Sequence, residues 1–252
     1  MQALITGASS GIGLALAHVF AREGYDLFLV ARDKDSLREA AARIRVDYGV
    51  DVRFLALDLT DSGAVWTLVD AVASEVDVLV NNAGVGVFGL LQETSWEREE
   101  AMLQLNVRVL SELTKVYVPR MLKQGWGRIL NVSSVAAFLP GPYMSVYYAS
   151  KAYVKSFSES LAEELRGSEV LVTCLCPGPT HSSFAASAGA EYVSFFRGRL
   201  MTASAVAEYG YSSLMKGRRV AIPGFRNKLN VCLSRVLPRW LQARIVRRVS
   251  ER

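Results

Sequence analysis

Apolar residues along this chain fall in two alternating rhythms. Short, nearly continuous runs ("ALIT", "DLFLVA", "DVRFLAL", "VDVLVN") are separated by longer stretches with apolar positions every three or four residues ("GLALAHVFAREG", "KDSLREAAARIRVDYG", "SGAVWTLVDAVASE"). The runs predict strands and the stretches predict helices. Strands apolar on both sides need cover on both faces, so the pattern predicts a doubly wound α/β fold with a parallel sheet and right-handed crossovers. It continues through a long helical region from about 95 to 125, the strand "RILNVS", a helix carrying "SVYYASKAYVKSF" and the strand "VLVTCLC". After "VAIPG" the rhythm changes, because Pro238 interrupts the tail and shortens its helices.

Length changes the picture little. A chain of 252 residues, 51% hydrophobic, buries one large core. With no repeat or linker, it reads as a single domain over 1–224, with 225–252 as a basic amphipathic extension of that domain. Charge matters more, because it is uneven. The net +5 hides a tail, from Phe225 to Arg252, with eight Lys or Arg against one acid. The body before it carries about −2 and gives no reason to expect a nucleic acid partner. Cys174, Cys176 and Cys232 are too few for a disulfide framework and read as buried or half-buried thiols. Two histidines provide no metal-ligand spacing, so no metal is expected. The opening "MQALITG" enters a strand without a basic leader, and no apolar run approaches the ~20 residues of a membrane span. These features lead to the expectation of a cytoplasmic protein, with peripheral contact at a membrane surface as an added possibility.

The first strand runs into "TGASSGIG", residues 6–13, and then into a helix. Gly7, Gly11 and Gly13 let the backbone turn tightly, approach a ligand and pack the helix on the sheet, while the helix N-terminus offers N–H groups to a phosphate. The second strand ends in Ala31 and Arg32, where an NAD enzyme would usually carry an acid. A guanidinium there pairs with a 2′-phosphate, which predicts NADP(H) over NAD(H). Asp33 is a competing acid next door, although its position also suits a helix N-cap.

With "LDLTD" (57–61), "NNAG" (81–84), Asn106, "NVSS" (131–134), "YYASK" (147–151) and "PG" (177–178) following "TGASSGIG" in order, the sequence resembles the short-chain dehydrogenases/reductases over nearly its whole length. That resemblance implies one Rossmann-type domain, a seven-stranded parallel sheet in a three-layer αβα sandwich. It also implies a nicotinamide cofactor, interconversion of alcohols and carbonyls, and a homodimer or homotetramer. By the same resemblance the cofactor would lie against Gly7, Ser9, Ser10, Gly11, Ile12 and Gly13, with Asp58 and Leu59 near the adenine. Asn81 and the following Asn82, Ala83 and Gly84 would line its groove. Pro177, Gly178 and Thr180 would flank the nicotinamide, with Ser182 standing where the family usually has Thr.

Carbonyl reduction needs a proton donor beside the developing alkoxide, and an ammonium beside a tyrosine lowers its pKa of about 10. Tyr147 is four residues from Lys151 and Tyr148 three, which alone decides nothing. The row from Tyr147 runs through Lys151, Val154 and Leu161 and is mostly apolar, whereas Tyr148 leads to Ala152, Lys155 and Glu159, which places Tyr148 on another face. The family's serine stands thirteen positions before its tyrosine, and that resemblance pairs Ser134 with Tyr147. It gives Ser134 the carbonyl oxygen, Tyr147 the proton, Lys151 the tyrosine pKa and the nicotinamide ribose, and Asn106 a relay water. An idle NADP(H)-binding sensor of the same fold is the alternative, and the intact Ser, Tyr and Lys set argues against it.

The segment 179–201 carries Phe184, Tyr192, Phe195, Phe196 and Leu200, and in this family it closes over the substrate. Its aromatic content suggests an apolar or acyl-type substrate. His181 reads as a solvent-facing loop residue. The tail mixes Leu, Val, Ile and Trp240 with arginines at roughly helical spacing. It reads either as an interfacial helix on anionic lipid or as an extension packed on the body or a partner subunit, and the short helices favour packing.

Overall fold

The computed structural model describes residues 1–72, 75–191, 193 and 200–251. Seven parallel strands form one sheet in the order β3-β2-β1-β4-β5-β6-β7. The first four are β1 (Gln2–Thr6), β2 (Asp26–Ala31), β3 (Val52–Ala56) and β4 (Val78–Asn81). They are followed by β5 (Gly127–Val132), β6 (Val170–Leu175) and β7 (Val220–Ala221). Apolar strands of this kind divide their side chains between two layers by simple alternation. Ala3 and Ile5 of β1, Leu27 and Leu29 of β2, and Val78 and Val80 of β4 join the core under α1 (Gly11–Arg22), α2 (Lys34–Tyr48) and α8 (Ala203–Met215). Leu4, Phe28, Val30 and Leu79 face the other way, toward α3 (Ala64–Val72), α5 (Leu110–Gln124) and α6 (Ser145–Glu164).

Strand order reverses between β1 and β4, which opens a crevice at the carboxyl ends of these strands. Thr6 ties the two sides of that crevice, its Oγ1 accepting from the backbone N–H of Asn82 (3.1 Å) and Ala83 (3.0 Å). The long helical region comprises α4 (Trp96–Leu103), a π-helical segment (Gln104–Val109) and α5. The segment widens the helix at Asn106, a feature the apolar periodicity does not encode. Beyond β6, a short α7 (Phe184–Ala188) lies over the crevice. The tail forms two helices, α9 (Phe225–Val236) and α10 (Arg239–Ser250), broken by Pro238. They are joined by the buried Gln242, whose Nε2 donates to the carbonyls of Ser234 and Leu237, both at 2.7 Å. Among the described residues no helix is long and apolar enough to cross a membrane. No group of three or more His, Cys, Asp or Glu side chains among them could hold a metal. Cys174 and Cys176 are buried as reduced thiols, but Cys232 is exposed because it lies on the outer side of α9.

Candidate active site

One cavity of about 1050 Å³ follows the crevice from the β1 turn to the inner side of α9 and α10. At one end lie Gly7, Ser9, Ser10, Gly11 and Ile12. Gly7 and Gly11 have φ of 66° and 56°, the left-handed region that a side chain resists. Gly13 does not line the cavity, contrary to expectation. A Cβ there would stand 2.1 Å from the Gly7 carbonyl oxygen, so this third glycine packs helix against turn. The Asn82 carboxamide closes the same contact, its Nδ2 donating to the carbonyls of Thr6 (2.9 Å) and Gly7 (3.1 Å). Ser10 is the N-cap of α1 but makes no side-chain capping bond, which leaves the first N–H groups of the helix facing the cavity.

At the end of β2, Arg32 is 72% exposed in its side chain and pairs with Asp58 at 3.7 Å. Asp33 is the N-cap of α2, its Oδ1 accepting from the N–H groups of Asp35 and Ser36, both at 3.1 Å. The Ser36 and backbone bonds hold the Asp33 carboxyl below its usual range. Asp58 accepts from the N–H and hydroxyl of Thr60 at 2.9 and 2.7 Å, which together with Arg32 outweighs its burial and lowers its pKa. Leu59 completes this lobe, and Asn82, Ala83 and Gly84 form the wall beyond it.

Asn81 is not in the groove. It is 3% exposed, and its Nδ2 donates to Thr114 Oγ1 (3.0 Å) and Asn131 Oδ1 (2.9 Å). Asn131 in turn donates to Ser158 Oγ at 3.0 Å, so a buried polar chain runs α5-β4-β5-α6. Ser133 adds a second tie, donating to the Lys151 carbonyl at 2.7 Å. Sequence reading missed Thr6, Thr114, Asn131, Ser133, Ser150 and Ser158 as parts of this scaffold. Its signal was present as polar residues inside otherwise apolar strand and helix faces.

These ties fix the middle of the cavity, where Ser134, Tyr147 and Lys151 meet. Ser134 caps a 3-10 turn (Val135–Phe138), accepting from the Ala136 N–H at 3.1 Å, and its hydroxyl reaches toward the Pro177 carbonyl at 3.5 Å. Lys151 Nζ donates to the Val132 carbonyl at 3.0 Å and stands 5.9 Å from the Tyr147 ring centroid. The electrostatics differ from expectation. Burial pushes the Tyr147 phenol well above its ordinary pKa, with Ser134 opposing and Tyr148 adding to the rise. Burial likewise lowers Lys151 to about 8. Desolvation is the largest cause of both shifts.

Asn106 lies behind the cavity wall, 1% exposed. Its Oδ1 accepts from the Val85 N–H (3.0 Å), and its Nδ2 donates to the Val85 carbonyl (3.0 Å) and Ser150 Oγ (3.1 Å). The carboxamide is a tie between the β4 loop and α6. Gly84 fits between it and the lysine, because a Cβ there would lie 3.0 Å from Asn106 Oδ1 and 3.2 Å from Lys151 Nζ.

Pro177, Gly178, Thr180 and Ser182 line the opposite wall. Tyr148 is a correction: it too lines the cavity, because Gly141 leaves room for its ring, which also meets the Tyr147 ring edge-on with centroids 6.1 Å apart. Burial raises its hydroxyl to about 12. Tyr153 is 41% exposed and outside the cavity, and His181 is exposed. The expected lid aromatics Tyr192, Phe195 and Phe196 lie outside the described residues, whereas Phe184 packs on Tyr147 with centroids 5.3 Å apart. The far wall was not foreseen. It is built from Val231, Leu233 and Leu237 of the first tail helix and its turn, with Ile245, Val246 and Val249 of the second.

Strand order, crevice and glycine turn define a Rossmann-type α/β protein. The family model described as short chain dehydrogenase matches residues 1–192, and the chain belongs to that family of oxidoreductases. A probable oxidoreductase, EphD, of Mycobacterium tuberculosis is 33% identical over 217 residues, which is 82% of this chain. The chain spans only 36% of the length of that relative. Among solved structures, a short-chain dehydrogenase from Sphingobium yanoikuyae in complex with NADPH is 32% identical with a TM-score of 0.83, covering 94% of this chain and 96% of its own. A short chain dehydrogenase/reductase from Burkholderia phymatum in complex with NAD is 29% identical with a TM-score of 0.83, covering 92% of each chain.

Proposed function

We propose that this protein is an NADP(H)-dependent oxidoreductase that interconverts a carbonyl and a secondary alcohol on an apolar or acyl-type substrate. The observation that carries this reading is the Ser134, Tyr147 and Lys151 cluster, halfway along a cavity with a polar, glycine-lined end and an apolar one. A dinucleotide fits the polar end. The uncapped N-terminus of α1 suits a pyrophosphate, and the left-handed glycines allow it to approach the backbone. Arg32 would take the 2′-phosphate, since Asp33, the acid that would select NAD(H), is committed to capping α2. Asp58 and Leu59 would border the adenine, Asn82 to Gly84 the groove, Lys151 the ribose, and Pro177, Gly178, Thr180 and Ser182 the nicotinamide. When bound, the reduced cofactor supplies a hydride to the carbonyl carbon.

The chain's own residues manage the other half of the reaction. Tyr147 holds its proton at neutral pH because burial disfavours the phenolate, so it is poised to donate that proton as the alkoxide develops. Ser134, on the same cavity wall as that phenol, would offer its hydroxyl to the same substrate oxygen. Lys151 supplies positive charge where the phenolate forms. Asn106 acts at one remove, holding the loop and α6 in register. The residues of α7, α9 and α10 exclude water from the apolar end. The resemblance adds a homodimer or homotetramer as the working assembly.

Following NADPH consumption across medium- and long-chain ketones, aldehydes, 3-oxoacyl thioesters and ketosteroids tests this reading. Turnover is expected with the apolar ketones or thioesters, and faster with NADPH than with NADH. Tight NADPH binding with no consumption across the panel would establish the alternative, an idle NADP(H)-binding sensor.

A further inference from the structure

We propose that the outer face of the C-terminal helix pair docks on an anionic lipid bilayer, with the apolar mouth of the cavity turned toward it. Helix α9 is amphipathic with its apolar side outward. At roughly 100° per residue, Phe225, Leu229, Cys232, Leu233 and Val236 share one arc, and all are exposed, Phe225 by 80% and Val236 by 78%. The opposite side carries Asn227, Val231 and Ser234, with Val231 and Ser234 buried against the body. The packing expected of the tail therefore holds for the inner side alone, and the most apolar stripe of the helix faces solvent.

Charge identifies what covers it. Arg226 borders the stripe on one side and Lys228 and Arg235 on the other, and beyond Pro238 the exposed Trp240 is accompanied by Arg239, Arg244 and Arg248. The one acid of the segment, Glu251, accepts from Arg247 at 2.8 Å. Among the described residues no ion pair engages the other six arginines and lysines from Arg226 to Arg244 or Arg248. A second copy meeting this face about a two-fold axis would bring an identical basic segment against it, which like charges oppose. An anionic surface meets it with the opposite sign. Short helices with an apolar stripe, flanking arginines and a tryptophan lie in a lipid interface rather than span it. Leu233 and Ile245 line the cavity and are also 51% and 45% exposed, so the mouth opens on this same side. A lipid-dissolved ligand thus has a dry route inward, a consequence that rests on the proposed reading of the cavity as a substrate chamber.

Vesicle flotation of the full chain tests the docking. The protein is expected to float with phosphatidylglycerol-containing vesicles at least tenfold better than with pure phosphatidylcholine, and to be released by high salt, which screens exposed charges. Leu229→Glu with Val236→Glu, two positions off the cavity wall, is expected to reduce flotation at least tenfold while NADPH binding and the circular dichroism spectrum stay unchanged. Equal flotation on both vesicle types would overturn the proposal. So would a double variant that floats like the wild type, or one that only turns a dimer into a monomer, which would make the stripe an interface between copies. Because the readout is flotation, its failure is separable from failure to consume NADPH.

Discussion

Lys151 is the residue where stability and chemistry conflict most. Burial depresses its pKa from 10.5 to about 8, so the folded state binds this proton less tightly than the unfolded chain does. At neutral pH that difference costs about 3 kcal/mol of folding free energy. The sign follows directly. Between about pH 8 and 10.5 the unfolded chain holds more protons than the folded one, so the cost is fully present below pH 8 and vanishes as pH rises through that window. Lys151→Met keeps the volume and removes the charge, at the loss of the bond to Val132, worth about 1 kcal/mol. The variant is expected to be more stable than the wild type by about 2 kcal/mol in urea unfolding at pH 7, with the gap closing by pH 10, and to lose reductase turnover. A variant less stable at pH 7 would show that the ammonium is not strained by its site. Arg32 tests cofactor choice on the same scale. Charge-assisted bonds of about 1.5–3 kcal/mol imply that Arg32→Glu weakens NADPH binding by at least tenfold, with NADH binding equal or tighter, as read by fluorescence titration.

Among the elements, the tail helices have the plainest consequence for specificity. Val246 sits on the inner side of α10 against the cavity. Val246→Asp should raise KM for long-chain ketones by at least tenfold while leaving NADPH affinity unchanged, because the dinucleotide lobe lies at the other end. Parallel losses in both would mean that the helix supports the whole cleft and does not select substrate. How much of each element could be read in advance depended on how local its cause was. The strands were legible because their apolar runs record two-sided burial, and the glycine turn because left-handed backbone demands glycine at positions 7 and 11. The apolar row beneath Tyr147 and Lys151 marked the buried face, since these are 7% and 5% exposed, but it did not exclude Tyr148 from the cavity. The place of Tyr148 on the cavity wall was not legible, since it depends on how the loop around Gly141 folds over its ring, which no periodicity encodes. The inner wall formed by α9 and α10 was hidden for the same reason. The tail's own periodicity shows an amphipathic helix but not which side meets the body.

In the whole molecule, the sheet reversal creates the crevice, and buried polar ties make it rigid where chemistry is proposed. The chain from Asn81 through Asn131 to Ser158 crosses the sheet and holds α6, so the positions of Tyr147 and Lys151 are set from behind. Desolvation is the shared device. It keeps Tyr147 protonated and lowers Lys151, so in the proposed reaction Tyr147 enters the reduction as a ready proton donor near neutrality. Turnover should decline as pH rises above about 8, where Lys151 loses the charge that receives the forming phenolate. The central claim is that one phenol supplies the proton, and Tyr147→Phe keeps the ring while removing that acid. The most direct measurement is single-turnover reduction of an apolar ketone by the NADPH-loaded variant and wild type. The account predicts a loss of at least a hundredfold in the variant with NADPH affinity retained. A variant that reduces the ketone at the wild-type rate would contradict it.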